Sequence, residues 1–258
     1  MAELNGAPAA IELRRLTFAY PSGRTVLNDL SATWATGSRV AIVGPSGAGK
    51  STLLMHLIGL LPTVPVTNPQ QCEVWVDGSP VTAERLRTVR QYVGFVFQDP
   101  DDQLFAGTVA EDVAFGPKLL GCDAAETQSR VTESLTAVGL PLVGNLNPGH
   151  LSYGERKRVC LAGVLACQPK VLVLDEPSSN LDPRARRQLL SILRSLPVTV
   201  VVATHDLDLV LDLCDRVVLL DEGRIQSEGV PTQILSDELL MERHGLEVPW
   251  RLRPTSLP

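Results

Sequence analysis

The segment GPSGAGKS (44–51) constrains the fold most strongly, because its pattern belongs to one kind of junction between a strand and a helix. It matches G-x-x-x-x-G-K-[ST], and it lies between an apolar run, RVAIVG (39–44), and a helix-like stretch, STLLMHLIGL (51–60). A strand, a glycine-rich loop and a helix in this order form a cradle for phosphate groups. The alternative is a glycine-rich turn with a chance lysine, and the complete match in the right context disfavours it.

The residue types in this loop suit anion binding. Its glycines allow backbone N–H groups to turn inward onto phosphate oxygens, and the positive end of the following helix adds to the attraction. Lys50 supplies a positive charge for the β- and γ-phosphates, and the Ser51 hydroxyl can ligate Mg²⁺. The predicted nucleotide contacts are Gly44, Pro45, Ser46, Gly47, Ala48, Gly49, Lys50, Ser51 and Thr52.

Apolar strand-like runs alternate with helical segments along much of the chain. KVLVLDEP (170–177), VTVVVATH (198–205) and DRVVLLDEG (215–223) predict strands with helices between them, which is the alternation of a parallel sheet. Between about 99 and 168 the apolar spacing is helical and no strand-like run occurs. We therefore predict an α/β core into which this helical block is inserted.

Both ends of the chain carry further signals. Residues 11–34 predict short strands around a turn at 21–23, and CEVWVDG (72–78) predicts another strand. The segment after about residue 236 predicts a short helix and a proline-rich end that frays. The predicted organisation is one domain over 1–235 and a short C-terminal tail over 236–258.

Two acidic residues close one of the buried strands. VLVLDEP (171–177) is a run of four apolar residues that ends in Asp175 and Glu176. An aspartate at the carboxyl end of a strand near a phosphate loop suits a Mg²⁺ partner. The adjacent Glu176 projects differently and could polarise an attacking water as a general base. The alternative is a solvated acidic strand end, which the phosphate loop makes less attractive.

Composition excludes several classes of protein. The net charge of −6 argues against nucleic acid as a partner, because nucleic-acid binding usually leaves a basic surface. Five cysteines without a CxxC pair and four scattered histidines argue against a disulfide scaffold and a zinc site. The opening MAELNGAPAA lacks the features of a signal peptide, and no apolar run reaches the roughly 18–20 residues that span a bilayer. We expect any membrane role to come through a partner.

Several motifs follow one another in a specific order. After the phosphate loop come FQDP with Gln98, LSYGE (151–155), LVLDEP (172–177), SNLD ending at Asp182, and ATHD with His205. The series, over about residues 11 to 247, resembles the ATP-binding-cassette (ABC) ATPases. A phosphate loop alone also occurs in kinases and GTPases, so the whole series carries the resemblance.

The resemblance implies a P-loop NTPase (RecA-like) core with an N-terminal antiparallel β subdomain and an inserted α-helical subdomain. It also implies ATP and Mg²⁺ as cofactors, and a head-to-tail pair of subunits that closes over two ATP molecules. LSYGE is similar to the family signature, so Ser152 and Gly154 are expected to contact the γ-phosphate held by the other subunit; an ordinary helix cap is the alternative. Tyr153 and Glu155 depart from the usual signature, and Glu155 adds an acidic group near the anion.

Other roles carry over position by position. Tyr20 matches the aromatic residue that stacks on adenine, with a core or edge-strand tyrosine as the alternative. Asp182 matches a loop that crosses to the partner's active site, and His205 matches a switch histidine that contacts the γ-phosphate, with a structural histidine as the alternative. On this basis the catalytic residues are Glu176, His205, Gln98 and Lys50, and the Mg²⁺ ligands are Ser51, Gln98 and Asp175.

Two segments narrow the subgroup. FVFQDPDDQLFAGTVAEDVAFGP (95–117) resembles the importers of the energy-coupling-factor (ECF) type, and ERHGLEVP (242–249) resembles the tail of their cobalt and nickel members. The resemblance implies a peripheral subunit on the cytoplasmic face of the cell membrane, bound to integral membrane subunits and to a second ABC ATPase, with cobalt, nickel or a vitamin as cargo. The alternatives are another ABC transporter subfamily, a soluble non-transport ABC ATPase, and a P-loop kinase or nucleotide-binding regulator.

Overall fold

The computed structural model describes residues 9–62 and 66–253. Over these residues the strands are β1 (Ala9–Ala19), β2 (Thr25–Ala35), β3 (Arg39–Val43), β4 (Val74–Val76), β5 (Ser79–Pro80), β6 (Val93–Val96), β7 (Val171–Asp175), β8 (Thr199–Ala203), β9 (Arg216–Asp221) and β10 (Arg224–Gly229). The helices are α1 (Lys50–Leu57), α2 (Leu86–Tyr92), α3 (Val109–Leu120), α4 (Ala124–Ala137), α5 (Tyr153–Leu165), α6 (Pro183–Ser195), α7 (Leu207–Leu213), α8 (Pro231–Ile234) and α9 (Glu238–Arg243).

The larger sheet has the strand order β10-β9-β3-β8-β7-β6. Its neighbours pair in parallel from β9 to β6, and only β10 at the edge is antiparallel. Every residue of β7 and β8 is buried, which explains why these strands read as unbroken apolar runs rather than as an alternating pattern. Because the strands are parallel, the loops after β3, β6, β7 and β8 meet at one edge of the sheet.

The smaller sheet is antiparallel, in the order β2-β1-β4-β5. The prediction of short strands over 11–34 was wrong: β1 and β2 have 11 residues each and flank the predicted turn. Their pairing contains register shifts, one of them at Arg15, which has a φ of 56°. A bulge inserts an extra residue into a continuous strand, and the resulting break in alternation looks like a strand end in the sequence.

The chain between β6 and β7 forms α3, α4 and α5, and the described residues 97–170 contain no strand. Thr108 caps α3 in a capping box with Glu111. Val113, Leu135 and Val159, one from each of these helices, are buried in the same apolar cluster. The assignment of these helices to a separate inserted subdomain over about 99–168 stays a prediction.

The segment after β10 packs on the rest of the chain. Met241 of α9 is fully buried in the cluster that also contains strands of the larger sheet, and His244 Nδ1 lies 2.8 Å from Asp221 Oδ2. The predictions about residues 1–8 and 254–258 fall outside the described residues. Among the described residues, no helix combines the length and the apolar character needed to cross a membrane.

Candidate functional site

The phosphate loop connects β3 to α1, as the sequence predicts. Gly44 has a φ of 152°, and a Cβ there would lie 1.9 Å from the carbonyl oxygen of Leu220, so only glycine fits. Gly49 is the N-cap of α1 with a φ of 103°, and no side chain caps this helix. The first N–H groups of α1 therefore remain available to a ligand, as an anion site requires.

Lys50 begins α1 and reaches back over the loop. Its Nζ donates hydrogen bonds to the carbonyl oxygens of Gly44, at 2.8 Å, and Pro45, at 3.0 Å. Burial lowers the pKa of the Lys50 ammonium, and the carboxylates of Glu176 and Asp175 oppose part of that shift. The ammonium thus lies between the loop and the acidic end of β7.

Asp175, at the end of β7, faces the beginning of α1. Its side chain accepts a hydrogen bond from Ser51, while its Oδ1 atom is buried without a hydrogen-bond partner among the described residues. Burial raises the pKa of the Asp175 carboxyl, and the Ser51 hydrogen bond opposes the shift. A hydroxyl beside an unpartnered carboxylate oxygen is a donor set that fits Mg²⁺, which takes one or two protein oxygens together with phosphates and water.

Glu176 follows Asp175 with a φ of 45°, and this turn sends its side chain toward the loop after β8. Glu176 Oε2 accepts hydrogen bonds from Thr204 Oγ1, at 3.2 Å, and from the backbone N–H of His205, at 3.3 Å. His205 Nδ1 lies 2.8 Å from the same oxygen. The carboxylate is only 12% exposed, whereas the His205 side chain is 70% exposed, so the pair joins a largely buried carboxylate to an accessible imidazole.

Tyr20 lies at the end of β1, beside the phosphate loop. Its hydroxyl is 3.2 Å from Thr52 Oγ1, and its ring packs edge-on against Phe18. The Tyr20 side chain is exposed, which does not fit a core tyrosine. It borders an open cavity of about 420 Å³ whose other lining residues are Ser22, Arg24, Val26, Gly47, Gly49, Lys50, Ser51 and Thr52.

The LSYGE segment forms the start of α5. Ser152 caps the helix, and Glu155 closes a capping box by accepting from Ser152 N at 2.9 Å and from Ser152 Oγ at 2.6 Å. Hydrogen bonds from the side chain and backbone of Ser152 lower the pKa of the Glu155 carboxyl. The centroid of the Tyr153 ring lies 5.6 Å from Lys157 Nζ.

Gly154 makes a contact that could not be predicted from the sequence. A Cβ at this position would lie 2.9 Å from the Cβ of Ala185 on α6, so the glycine allows α5 and α6 to pack closely. Asp182 caps α6 by accepting from the N–H groups of Arg184 and Ala185, both at 2.8 Å. The backbone hydrogen bond from Ala185 lowers the pKa of the Asp182 carboxyl. Ser152, Gly154 and Asp182 therefore share the region where α5 meets α6.

The chain is similar to a known family and to several known proteins. Residues 27–179, more than half of the 258, match the family model described as ABC transporter. This chain belongs to the ABC transporter family. An ABC transporter ATP-binding protein of Streptomyces coelicolor is 49% identical over 97% of this chain and 94% of its own length. The energy-coupling factor transporter ATP-binding protein EcfA of Methanothermobacter thermautotrophicus is 44% identical over 93% of this chain and 76% of its own length.

Solved structures of ABC proteins have the same fold. The cbiO1 protein of Clostridium perfringens, part of the ABC transporter complex cbiONQ, superposes with a TM-score of 0.79 at 32% identity, over 92% of this chain and 94% of its own. A dimeric ATP-binding cassette bound to ADP and Pi in a post-hydrolysis state gives a TM-score of 0.74 at 28% identity, over 86% of this chain and 98% of its own. The chain is thus an ATP-binding subunit of an ABC transporter and an ATPase, and the predicted P-loop NTPase fold is confirmed.

The structure of this ABC ATPase separates the predicted site residues into two groups. The phosphate loop, Tyr20, Asp175, Glu176 and His205 gather near the carboxyl edge of the larger sheet, and Gln98 is exposed just beyond β6. No residue from the LSYGE segment or α6 lines the cavity beside the phosphate loop. Within one chain, Ser152, Gly154 and Asp182 therefore lie apart from the cavity that the phosphate loop borders.

Sequence reasoning missed two residues that contact Glu176. Thr204 is fully buried and donates to the Glu176 carboxylate, and Lys157 is 4% exposed and donates to the Glu176 carbonyl at 2.8 Å. Thr204 could have been found, because it stands directly before His205 at the end of an apolar strand. Lys157 gave no such signal, because one lysine in the basic run RKR looks like a solvated helix residue.

Proposed function

We propose that this chain binds and hydrolyses ATP with Mg²⁺ to drive an ECF-type importer, working as one of two paired ATPase subunits. One observation carries the proposal: the phosphate loop, the Ser51–Asp175 pair and the Glu176–His205 pair meet at one edge of the sheet. Cradle, cation ligands and base are then within reach of one triphosphate, while the LSYGE segment faces elsewhere.

Nucleotide binding begins with the open end of α1. The loop N–H groups donate hydrogen bonds to phosphate oxygens, and Lys50 exchanges its bonds to the Gly44 and Pro45 carbonyls for bonds to the β- and γ-phosphates. Tyr20 stacks on the adenine ring, because it is exposed at the mouth of the same cavity. Ser51, Asp175 and Gln98 would hold Mg²⁺, which would neutralise negative charge on the phosphates.

Glu176 serves as the general base. Its carboxylate is largely buried, and Thr204 and the His205 backbone hold Oε2, so the other oxygen remains to orient and deprotonate a water. His205 is well placed to contact the γ-phosphate, because its ring is exposed while Nδ1 bonds to Glu176. The reaction is thus driven by positioning and charge stabilisation.

A second subunit completes the site. Ser152 and Gly154 stand at a helix N-terminus that lies apart from the cavity of their own chain, so we expect a γ-phosphate to reach them from another subunit. Asp182, beside them, then lies at the same interface. The relative whose structure is a dimer bound to ADP and Pi supports this arrangement.

A groove beside Gln98 is our candidate docking site for the membrane partner. It has a volume of about 460 Å³ and lies between β6 and the helices α3 and α5. Phe105 and Phe115 border it, and they are 68% and 47% exposed. A helix of an integral membrane subunit that buries these rings would place the chain on the cytoplasmic face of the membrane.

The names of similar proteins support the subgroup. EcfA is named for an energy-coupling factor transporter, and cbiO1 for the complex cbiONQ. We propose cobalt or nickel as the cargo, with a vitamin as the alternative. Over the described residues, no cluster of three or more His, Cys, Asp or Glu side chains could hold such an ion. The cargo is therefore expected to pass through the membrane subunits.

The test is a pull-down of the tagged chain from detergent-solubilised native membranes, followed by identification of the proteins that come with it. We expect a multi-span membrane protein, a second ABC ATPase and a small hydrophobic substrate-binding subunit. Phe105→Asp should lose the membrane protein while ATP hydrolysis continues, and Leu142→Asp, at an exposed position outside the groove, should retain it. Recovery of soluble partners alone would contradict the transport assignment, and a different set of membrane subunits would indicate another ABC subfamily.

A further inference from the structure

Lys157 occupies an unusual position for a lysine. It lies on the second turn of α5 and is 4% exposed. Its Nζ donates to the carbonyl oxygens of Glu176, at 2.8 Å, and Pro177, at 3.2 Å, and lies 3.0 Å from Ser179 Oγ. All three acceptors belong to the loop that carries the proposed catalytic base.

This buried cation is not part of a close ion pair. No carboxylate lies within salt-bridge distance of Lys157 in the described part of the chain. Burial lowers the pKa of the Lys157 ammonium to about 8, and the charge of Glu176 opposes part of that shift. Burying a charge against neutral oxygens is costly compared with an apolar side chain, so stability alone is a poor reason for a lysine here.

The loop that Lys157 holds needs external support. Glu176 has a positive φ of 45°, and such a conformation is costly for residues other than glycine, asparagine and aspartate. The Glu176 carbonyl also accepts from Ser179 Oγ at 2.8 Å, so one carbonyl ties the loop to itself and to α5. A shift of α5 would therefore move the backbone on which the Glu176 side chain is mounted.

Lys157 and Ser152 stand on the same short stretch of helix. Ser152 caps α5, and Lys157 lies between one and two turns further on, so the two move together when the helix tilts. The Ser152 end is expected to meet the γ-phosphate bound by the other subunit, whereas Lys157 contacts the base of its own subunit. One rigid element thus touches both active sites of a pair.

We propose that Lys157 is a positioning residue that couples the two active sites: docking of a phosphate at Ser152 sets, through the hydrogen bonds of Lys157, the position of Glu176 in the same chain. Lys157 itself touches no nucleotide. The inference rests on the proposed function, because it assigns a positioning residue to the catalytic base proposed there.

The test compares Lys157→Met, which keeps the length of the side chain and removes its charge and donors, with Lys170→Met, an exposed lysine just before β7. For Lys157→Met we expect kcat for ATP hydrolysis to fall about 10- to 100-fold, because small misplacements of a catalytic group have effects of this size. KM for ATP should stay within about twofold of the unmodified protein, and the Hill coefficient for ATP should fall toward one, because nucleotide binding is untouched while coupling is lost. Lys170→Met should change none of these.

Ser179→Ala supplies a second measurement that does not depend on burying a new side chain. It removes one partner of Lys157 and should lower kcat by a smaller factor, with KM again unchanged. The double variant should hydrolyse ATP about as slowly as Lys157→Met alone, because both changes act on one network. If Lys157→Met does not fold, the kcat of Ser179→Ala decides, and an unchanged value overturns the proposal.

Other results would also overturn it. A kcat of Lys157→Met within about twofold of the unmodified protein, or a rise in KM that parallels the loss of kcat, would leave Lys157 with a structural role only. An unmodified protein that binds ATP without hydrolysing it would instead contradict the proposed function, and the inference with it. The activity of the unmodified protein and of Lys170→Met thus separates the two failures.

Discussion

Two helices of this protein begin at proposed phosphate sites, and their N-termini are in opposite states. At α1, the N-cap Gly49 offers no side chain, the first turn contains no acidic residue, and Lys50 adds a positive charge. At α5, Ser152 and Glu155 form a closed capping box, and the Ser152 hydroxyl lies 2.6 Å from the Glu155 carboxylate. The N-terminus of α1 is thus uncapped, whereas the N-terminus of α5 is capped by side chains of its own segment.

The difference indicates when each terminus binds phosphate. An open terminus can accept an anion without breaking a capping hydrogen bond, so we expect α1 to bind phosphate first, within one subunit. A hydroxyl has one proton, and at α5 it points to Glu155, so a phosphate at Ser152 has to displace that bond. We infer that closure of the pair, rather than ATP binding, is the step that Glu155 opposes.

The largest effect is expected from Glu176→Gln, which separates phosphate binding at the two helix N-termini from the hydrolysis of ATP. Without a base, ATP hydrolysis should fall about 10²- to 10⁴-fold, the range that general bases contribute. ATP and Mg²⁺ should then trap a stable pair that elutes as a dimer in size-exclusion chromatography. Hydrolysis at the unmodified rate would remove Glu176 as the base.

Lys50→Ala tests the open terminus directly. The loop N–H groups would remain, but the charge at the β- and γ-phosphates would be lost, and hydrolysis should fall about 10²- to 10³-fold. Lys118→Ala, at a position outside the nucleotide cavity, is the matched control for removal of a lysine. Equal activity of both variants would mean that the loop does not act as a phosphate site.

Tyr20→Ala tests the proposed contact with the adenine ring of the nucleotide. Loss of stacking, which contributes roughly 1–3 kcal/mol per base in other proteins, should raise KM for ATP about tenfold and leave kcat little changed. Tyr20→Phe keeps the ring and loses only the bond to Thr52, so its KM should stay near that of the unmodified protein. If Tyr20→Phe is as weak as Tyr20→Ala, the hydroxyl rather than the ring matters.

The smallest effect, from Glu155→Gln, addresses the closed terminus. Glutamine can still close a capping box, but it is a weaker acceptor for the Ser152 hydroxyl than an ionised carboxylate. Combined with Glu176→Gln, it should lower the ATP concentration for half-maximal dimerisation about fivefold, because a hydrogen bond to a neutral group contributes about 1 kcal/mol less than one to a charged group. A higher ATP requirement would show that Glu155 supports closure.

Much of the site could be predicted from the sequence, because its parts are local. The phosphate loop, the DE pair and the ATHD turn each follow an apolar run, and parallel strands bring such ends to one edge. The Ser152–Glu155 capping box was also readable as S-x-x-E, yet Glu155 was interpreted only as a charge near an anion. The full length of β1 and β2 was not predicted, because bulges interrupt the alternation of side chains between the two faces of the sheet.

By itself, the sequence determined the order of strands and loops along the chain and the chemistry of each loop. Both depend on periodicity and on residues a few positions apart. Tertiary structure decided which distant residues share a contact. Gly154 is a glycine because Ala185 packs against it, and Lys157 is buried because the loop after Glu176 folds onto α5. Such contacts join residues that are about 20 to 30 positions apart, and no local pattern encodes them, because burial depends on how complete elements pack.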